Sequence, residues 1–332
     1  ILGKPMNIKQ LTLASLAISL LSFTSASAMA KETVDTNEIH FLIPGGPGGG
    51  WDGTARGTGE ALMKSGKITN ASFQNMSGGG GGKAIAYMIE TAEKQKNTLM
   101  VNSTPIVVRS LTGVFPQSFR DLKPVAGTIA DFGAFVVRKD SKYHDWREVL
   151  ADFKQNPRKV KFSGGSARGS LDHLVAAMAI KSGRAKPKKL VYVAYDGGGK
   201  AMAGLLSGET AILSTGVGEA LTMAQSGDVR ILAITSKDRL PVVPDTPTLS
   251  EMGYDVIFAN WRGFFASPTM PDEKVAAYAK LLGDVQTTPE WTKIKERNGW
   301  VNLYNPNTEF YTFLENQEKE IGALMRELGF LK

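Results

Sequence analysis

Six short segments have residue types that can hold an anion. They are 44–53 (PGGPGGGWDG), 77–82 (SGGGGG), 102–105 (NSTP), 163–170 (SGGSARGS), 195–199 (YDGGG) and 214–218 (STGVG). Glycine lets the backbone approach a ligand closely and turn its N–H groups toward it. The N–H groups of Gly48, Gly49 and Gly50 are expected to hold one carboxylate, with Gly49 needing a positive φ that a β-branched residue cannot adopt. Hydroxyls of Ser77, Ser103, Thr104, Ser163, Ser166, Ser214 and Thr215 add donors to carboxylate oxygens. Trp51, Gly78, Tyr195, Asp196 and Gly216 stand in the same segments and complete the candidate set. Asp52 should not face a bare carboxylate, because like charges repel; it is expected to cap the following helix or order a bridging water. Trp51 is expected to pack on the ligand or to act as a latch, against the alternative of a partly exposed loop aromatic. Arg262 is the expected bidentate carboxylate clamp, with a structural ion pair as its alternative.

Two enzymatic readings compete for these residues. Gly48 to Gly53 fits G-x-G-x-x-G after a strand, but a dinucleotide site also wants an acid about twenty positions on. The chain has Gln74-Asn75-Met76-Ser77 there. A serine hydrolase would use Ser166, yet Gly165-Ser166-Ala167-Arg168-Gly169 is not the G-x-S-x-G elbow. Asp172 and His173 are adjacent and, on a helix, point to different faces. His173 is expected to make a helix-borne hydrogen bond near the loop. A hydrolase acting on a small acidic substrate remains the alternative function.

The elements that position these segments follow from periodicity and breakers. Strands are expected at Ile39–Ile43, Ala71–Met76, Thr98–Val101, Ala134–Arg138, Lys159–Phe162, Leu190–Ala194, Ala211–Leu213, Val229–Thr235 and Val256–Ala259, the last placing Arg262 just beyond its end. Helices are expected at Thr54–Lys64, Lys83–Ala92, Asp145–Phe153, from Leu171, Lys200–Leu206 and Glu219–Gln225. Alternation of this kind gives doubly wound α/β layers with largely parallel sheets and right-handed crossovers. Each candidate segment follows a strand, at the carboxyl edge where open α/β sheets bind ligands. A helix beginning just afterwards adds the positive end of its dipole.

Composition narrows the classes further. With 332 residues, 42% hydrophobic and 21% charged, the chain has ordinary globular usage and length enough for two domains. The absence of cysteine excludes disulfides, thiolate metal sites and a cysteine nucleophile. Three scattered histidines disfavour a His-rich metal site, so neither metal nor cofactor is expected. The basic run Arg184 to Lys189 lacks an aromatic platform, and nucleic-acid binding is not expected. Residues 11–23 (LTLASLAISLLSF), after Lys4 and Lys9, form a short apolar run ending near Ala28 and Ala30. That pattern is expected to be a signal peptide over 1–30, starting from Met6 and removed on export to the periplasm. Loss of Lys4 and Lys9 then lowers the net charge from +7 to +5.

Taken in order, Pro44 to Asp52 with Thr54-Ala55-Arg56, Ser77 to Gly82, Gly164 to Gly169 with Asp172-His173, Tyr195 to Ala201, Thr215 to Glu219, Pro247-Thr248-Leu249 and Asn260 to Gly263 resemble the TctC-like (Bug) receptors. These are periplasmic solute-binding proteins of tripartite tricarboxylate transporters. Arg168 stands where relatives with this loop often have glycine. The resemblance implies a periplasmic-binding-protein (Venus flytrap) clamshell of two doubly wound α/β domains. It implies a small carboxylate between them, held partly through bridging waters, and delivery to a permease of two integral-membrane subunits. The Trp51-Asp52 form of the first loop looks most like the tricarboxylate branch, so citrate is the preferred expectation over a dicarboxylate. Domain I is expected to span 31–138 with 261–332, domain II 139–260, and the receptor is expected to be monomeric.

Overall fold

In a computed structural model of the chain, residues 34–332 are described. The expected signal peptide and its cleavage sites lie outside the described residues. Among those residues, no helix is long and apolar enough to cross a membrane.

The first lobe opens with β1 (Glu38–Ile43), which runs parallel to β2 (Asn70–Asn75) on one side and β3 (Thr98–Ser103) on the other. The crossovers are α1 (Gly50–Lys64) and α2 (Gly82–Glu90), and α3 (Thr104–Leu111) leaves the end of β3. Every residue of β3 is buried, as expected for a strand covered on both faces. The 16-residue β4 (Lys123–Arg138) then carries the chain into the second lobe. That lobe holds α4 (Trp146–Gln155), β5 (Phe162–Gly164), α5 (Leu171–Ser182), β6 (Tyr192–Ala194), α6 (Gly198–Leu206), β7 (Ile212–Gly216), α7 (Val217–Gln225) and β8 (Val229–Ile234). The chain returns through β9 (Ala259–Ala266) and closes with α8 (Asp272–Val285), α9 (Pro289–Asn298), β10 (Val301–Pro306) and α10 (Asn307–Leu328).

Strand order is β2-β1-β3-β9-β4-β7-β5-β6, with β10 and β8 also pairing to β4. The expectation of largely parallel sheets holds for β2-β1-β3 and for β6-β5-β7. The pairs of β4 with β7, β8, β9 and β10, and of β3 with β9, are antiparallel. Two strands that run out of one lobe and back again must be antiparallel to each other. β4 changes partners midway: Phe132 is opposite Ala259 of β9, and Gly133 is opposite Gly216 of β7.

Several expected boundaries move for identifiable reasons. α1 begins at Gly50 rather than Thr54, so the last glycine of the run opens the first helical turn with Trp51, Asp52 and Gly53. β4 begins at Lys123, although Ala134–Arg138 was the only part expected. Val256 and Phe258 are buried but lie outside any strand, and β9 begins at Ala259. Arg262 therefore lies within a strand, opposite Ser103 and Ile129, rather than beyond the end of one. Both long strands carry glycines that break an apolar pattern, because Phe310 packs onto them. A Cβ on Gly127 would stand 3.2 Å from Phe310 and one on Gly263 2.5 Å from it. α4, by contrast, starts as expected: Asp145 accepts the Arg147 N–H and Glu148 reaches back to the Asp145 N–H, a capping box.

Candidate functional site

The loops after β1, β2, β3, β5 and β6 meet around one cavity of about 300 Å³, and Glu219 from the first turn of α7 joins them. That size suits a small organic acid rather than a polymer. The strand–loop–helix grammar produces this convergence, because all five loops leave carboxyl ends of strands on the two facing lobes.

Of the expected residues, Gly49, Gly50, Trp51, Gly78, Ser103, Ser166, Tyr195, Asp196 and Arg262 line the cavity. Gly49 caps α1 with φ −84°, so the positive φ expected there is absent; it belongs to Gly48, at +78°. The Gly48 N–H is already committed to Asp52 Oδ2 (3.1 Å), which removes it as a ligand donor. Asp52 also accepts from Arg56 Nε (2.8 Å) and Asn75 Nδ2 (3.0 Å), fastening the first loop to β2. Burial alone would raise its pKa; the bonds from Asn75, Gly48 and Arg56 outweigh that and hold it below the usual carboxylate range. Trp51 donates from Nε1 to Ser103 Oγ (2.8 Å), tying the β1 and β3 loops together along the cavity wall.

Of the other expected hydroxyls, those of Ser163, Ser214 and Thr215 are spent within the protein. Ser163 Oγ donates to the Ile212 carbonyl (3.4 Å) and accepts from Thr210 Oγ1 (2.9 Å), so it is turned into the sheet. The Thr104 N–H donates to Asn260 Oδ1 (3.3 Å), and the Thr104 side chain is fully buried behind the loop. Ser214 Oγ donates to the Asp172 carbonyl (2.9 Å). Ser77 stands behind Gly46, its Oγ 3.7 Å from where a Cβ there would sit. Thr215 Oγ1 and the Gly216 N–H both donate to Glu219 Oε2 (2.9 and 3.2 Å). A hydroxyl that meets a carbonyl or carboxylate of the fold finds a partner without waiting for a ligand, and sequence alone does not reveal that competition.

Arg262 is committed in the same way. It is 3% exposed, with Nη2 on Asp131 Oδ2 (2.9 Å) and Nη1 on Thr54 Oγ1 (3.2 Å). The structural ion pair is thus present, and the expected bidentate fork is replaced by Nε as the donor without a partner. Ser166 is tied to Asp172 rather than to a histidine. Its Oγ accepts the Asp172 N–H (2.9 Å), and its own N–H donates to Asp172 Oδ2 (3.0 Å). His173 is turned elsewhere, stacked on Tyr192 at 4.6 Å with Nδ1 accepting the Gly169 N–H (3.0 Å), as its sequence position led one to expect.

Two lining carboxylates, Asp172 and Glu219, were absent from the expected set. Glu219 carried a readable signal, since it stands three residues after a loop glycine, the position from which a glutamate reaches back to a helix N-terminus. Burial pushes Asp172 up to about 7, with the charge of Glu219 adding to the shift. Burial pushes the adjacent His173 down to about 4, helped by Arg168.

These neighbours oppose each other in pH dependence. Between about pH 4 and pH 7 folded Asp172 keeps a proton the unfolded chain has lost, so its contribution to stability falls as pH rises. Unfolded His173 binds a proton below its ordinary 6.5 that the folded form refuses, so its contribution rises with pH across much of the same window. Asp172→Asn leaves the histidine unopposed. Urea denaturation between pH 4.5 and 6.5 is expected to show the variant's stability rising relative to the parent by up to about 1.4 kcal/mol per pH unit. A constant offset between the two at every pH would show that Asp172 titrates normally.

The pattern of the Tripartite tricarboxylate transporter family receptor matches residues 66–330. Protein BugT of Bordetella pertussis is 29% identical over 276 residues, covering 81% of this chain and 82% of BugT. MatC of Rhodopseudomonas palustris, solved with bound malate, superposes with a TM-score of 0.76 at 19% identity, over 86% of this chain and 98% of MatC. An R. palustris protein solved with adipate gives a TM-score of 0.80 at 19% identity, over 88% and 97%. These likenesses fix the fold as the two-domain clamshell of periplasmic binding proteins. With a family match over most of its length, the chain belongs to the TctC (Bug) family of periplasmic solute receptors and is a non-enzymatic binding protein.

Proposed function

We propose that this receptor captures a small carboxylate in the cavity between its lobes and delivers it, as a monomer in the periplasm, to the integral-membrane permease subunits of a tripartite tricarboxylate transporter. The observation that carries the proposal is the meeting of glycine-rich loops from both lobes around one cavity of about 300 Å³. Malate in MatC and adipate in the other R. palustris protein support a carboxylate of that size. The finer preference for citrate rests on the Trp51-Asp52 loop and has two lining carboxylates against it, so the proposal stops at a small carboxylate.

The lobes divide where β4 and β9 cross. The expected division places 31–138 with 261–332 and sets 139–260 apart. Because Ala134–Arg138 pairs with β7 and β8, we draw the first crossing at Phe132–Gly133. Bending about these two strands is the proposed closing motion.

A thermal-shift panel of malate, succinate, adipate, citrate, aspartate and glutamate tests the proposal. At one hundred times its Kd, a bound acid is expected to add about 2.7 kcal/mol of stability. It is also expected to be recovered chemically unchanged. A panel in which no carboxylate stabilises the chain would remove the proposal, and a hydrolysed ligand would revive the alternative based on Ser166.

A further inference from the structure

The strands of the second lobe send their carboxyl ends to the cavity, so their amino ends form the opposite edge of that lobe. Two basic runs converge on this edge. Residues 154–161 (KQNPRKVK) hold four cations and no acid, and residues 181–189 (KSGRAKPKK) hold five cations and no acid. The first run leads into β5 and the second into β6, and these strands are neighbours, with Phe162 opposite Tyr192. Lys154 and Arg184, one from each run, meet in a hollow with Arg147. Beside it a groove is lined by Arg138, Lys142, Arg158, Lys159 and Lys161, with Asp140 and Asp152 as its carboxylates. Arg138 Nε holds Asp140 (2.8 Å), while Lys142 and the Tyr143 hydroxyl hold Asp152. The other acids of this edge, Glu209 and Asp228, accept the hydroxyls of Tyr195 and Ser226. Lys181 is the one cation of the two runs with an ion-pair partner among the described residues, Glu327; the others are exposed. Leu206, 38% exposed at the end of α6, adds an apolar side chain next to the groove.

We propose that this basic edge of the second lobe docks the protein on a bilayer surface rich in anionic phospholipid. The cations are spread along two strand entries rather than gathered around one point, which matches a surface of many phosphates better than a single small anion. Lysine heads on flexible stems suit such a surface, because each needs only a nearby charge and no fixed fork geometry. Each adds its own increment of attraction to an anionic leaflet. Neither run contains Phe, Tyr or Trp, so the platform on which unstacked nucleic-acid bases rest is missing. The edge lies at the far end of the strands from the cavity, so docking leaves the cavity mouth open to solution. A receptor held in this way captures its solute in the layer next to a membrane-embedded permease. The inference does not depend on which acid the cavity takes.

Cosedimentation of the exported chain with lipid vesicles tests this. One preparation is phosphatidylglycerol and phosphatidylcholine in equal parts, the other phosphatidylcholine alone. At low salt the anionic vesicles are expected to bind about tenfold more tightly than the neutral ones, and added salt is expected to weaken that preference. The combined variant Lys159→Glu, Lys161→Glu and Lys189→Glu is expected to lose the preference. Lys94→Glu, Lys293→Glu and Lys319→Glu together make the same change of net charge at exposed positions of the first lobe and are expected to keep most of it. Circular dichroism verifies that both variants fold, and neither set lines the cavity. Equal binding to neutral and anionic vesicles, or an equal loss in both variants, would overturn the docking edge. Displacement of the vesicles by glycerol phosphate at matched phosphate concentration would assign the groove to a small anion, and tighter binding of an oligonucleotide than of the vesicles would assign the edge to a polymer. Either result would also overturn the bilayer.

Discussion

Arg262→Met is expected to destabilise the folded chain by about 3–5 kcal/mol at pH 8, the usual cost of stranding one member of a buried ion pair. Asp131 has no exposed side-chain surface, and its Oδ2 rests on Arg262 Nη2 at 2.9 Å. Without the guanidinium, Asp131 keeps the Gly218 N–H at 3.4 Å and the repulsion of Glu219. Burial, offset by Arg262 and reinforced by Glu219, already raises its pKa to about 6. Losing Arg262 removes the offset, so the carboxyl escapes its unpaired charge by taking up a proton. That escape is easier in acid, and the cost of the substitution is expected to be smaller at pH 5.5 than at pH 8. Asp131→Asn in the Arg262→Met background is expected to recover part of the loss at pH 8 and little at pH 5.5. Denaturation curves showing one cost at both pH values, or no recovery in the double variant, would mean that the pair does not hold the two crossing strands as described.

The same residue shows what was legible in the sequence. That Arg262 matters near the cavity could be read from its place in Asn260-Trp261-Arg262-Gly263. Its neighbours could not, because Asp131 is 131 positions away in the middle of β4. The parallel strands and the helices α1, α2 and α4 to α7 were legible, since glycine, proline or hydroxyl residues punctuate the chain at the carboxyl edges. The helix α3, the first half of β4, the placing of β9 and the bounds of α8, α9, β10 and α10 were not. Gly127 and Gly263 serve the packing of Phe310, and in a linear reading a glycine that makes room for a distant ring looks like a glycine that ends a strand. The cavity loops were legible as a class for the reason that defines them, glycines after strands. Which hydroxyls face the cavity was not, because Ser163 and Ser214 each find a partner on a distant element and Thr215 finds one in the helix that follows it.

Gly165→Ala is expected to cost more binding than substitution of any glycine in the first loop other than Gly50. A Cβ on Gly165 would stand 2.4 Å from Gly198 N and 2.5 Å from Gly197 C. These are backbone atoms, which no rotamer change moves aside. The Gly165 carbonyl also accepts the Gly197 N–H at 3.0 Å, so the two loops are joined where they would be forced apart. Overpacking of this kind costs about 1–3 kcal/mol of stability. The displaced loops carry Ser166, Asp172 and Gly198 on one wall of the cavity, so affinity for the bound acid is expected to fall at least tenfold, about 1.4 kcal/mol. Gly49→Ala makes the comparison informative. Gly49 has an ordinary φ of −84°, and its nearest neighbours would lie 3.6 Å from the new methyl, so the fold should accept it. Gly53→Ala, inside α1 and facing open space, is expected to add about 0.5–1 kcal/mol of stability and leave binding unchanged. The three substitutions separate the reasons a glycine is used: close approach of two backbones at Gly165, a cavity wall at Gly49, and at Gly53 neither. Unaltered affinity in Gly165→Ala, measured by calorimetry beside the other two, would show that the loops after β5 and β6 do not jointly shape the cavity.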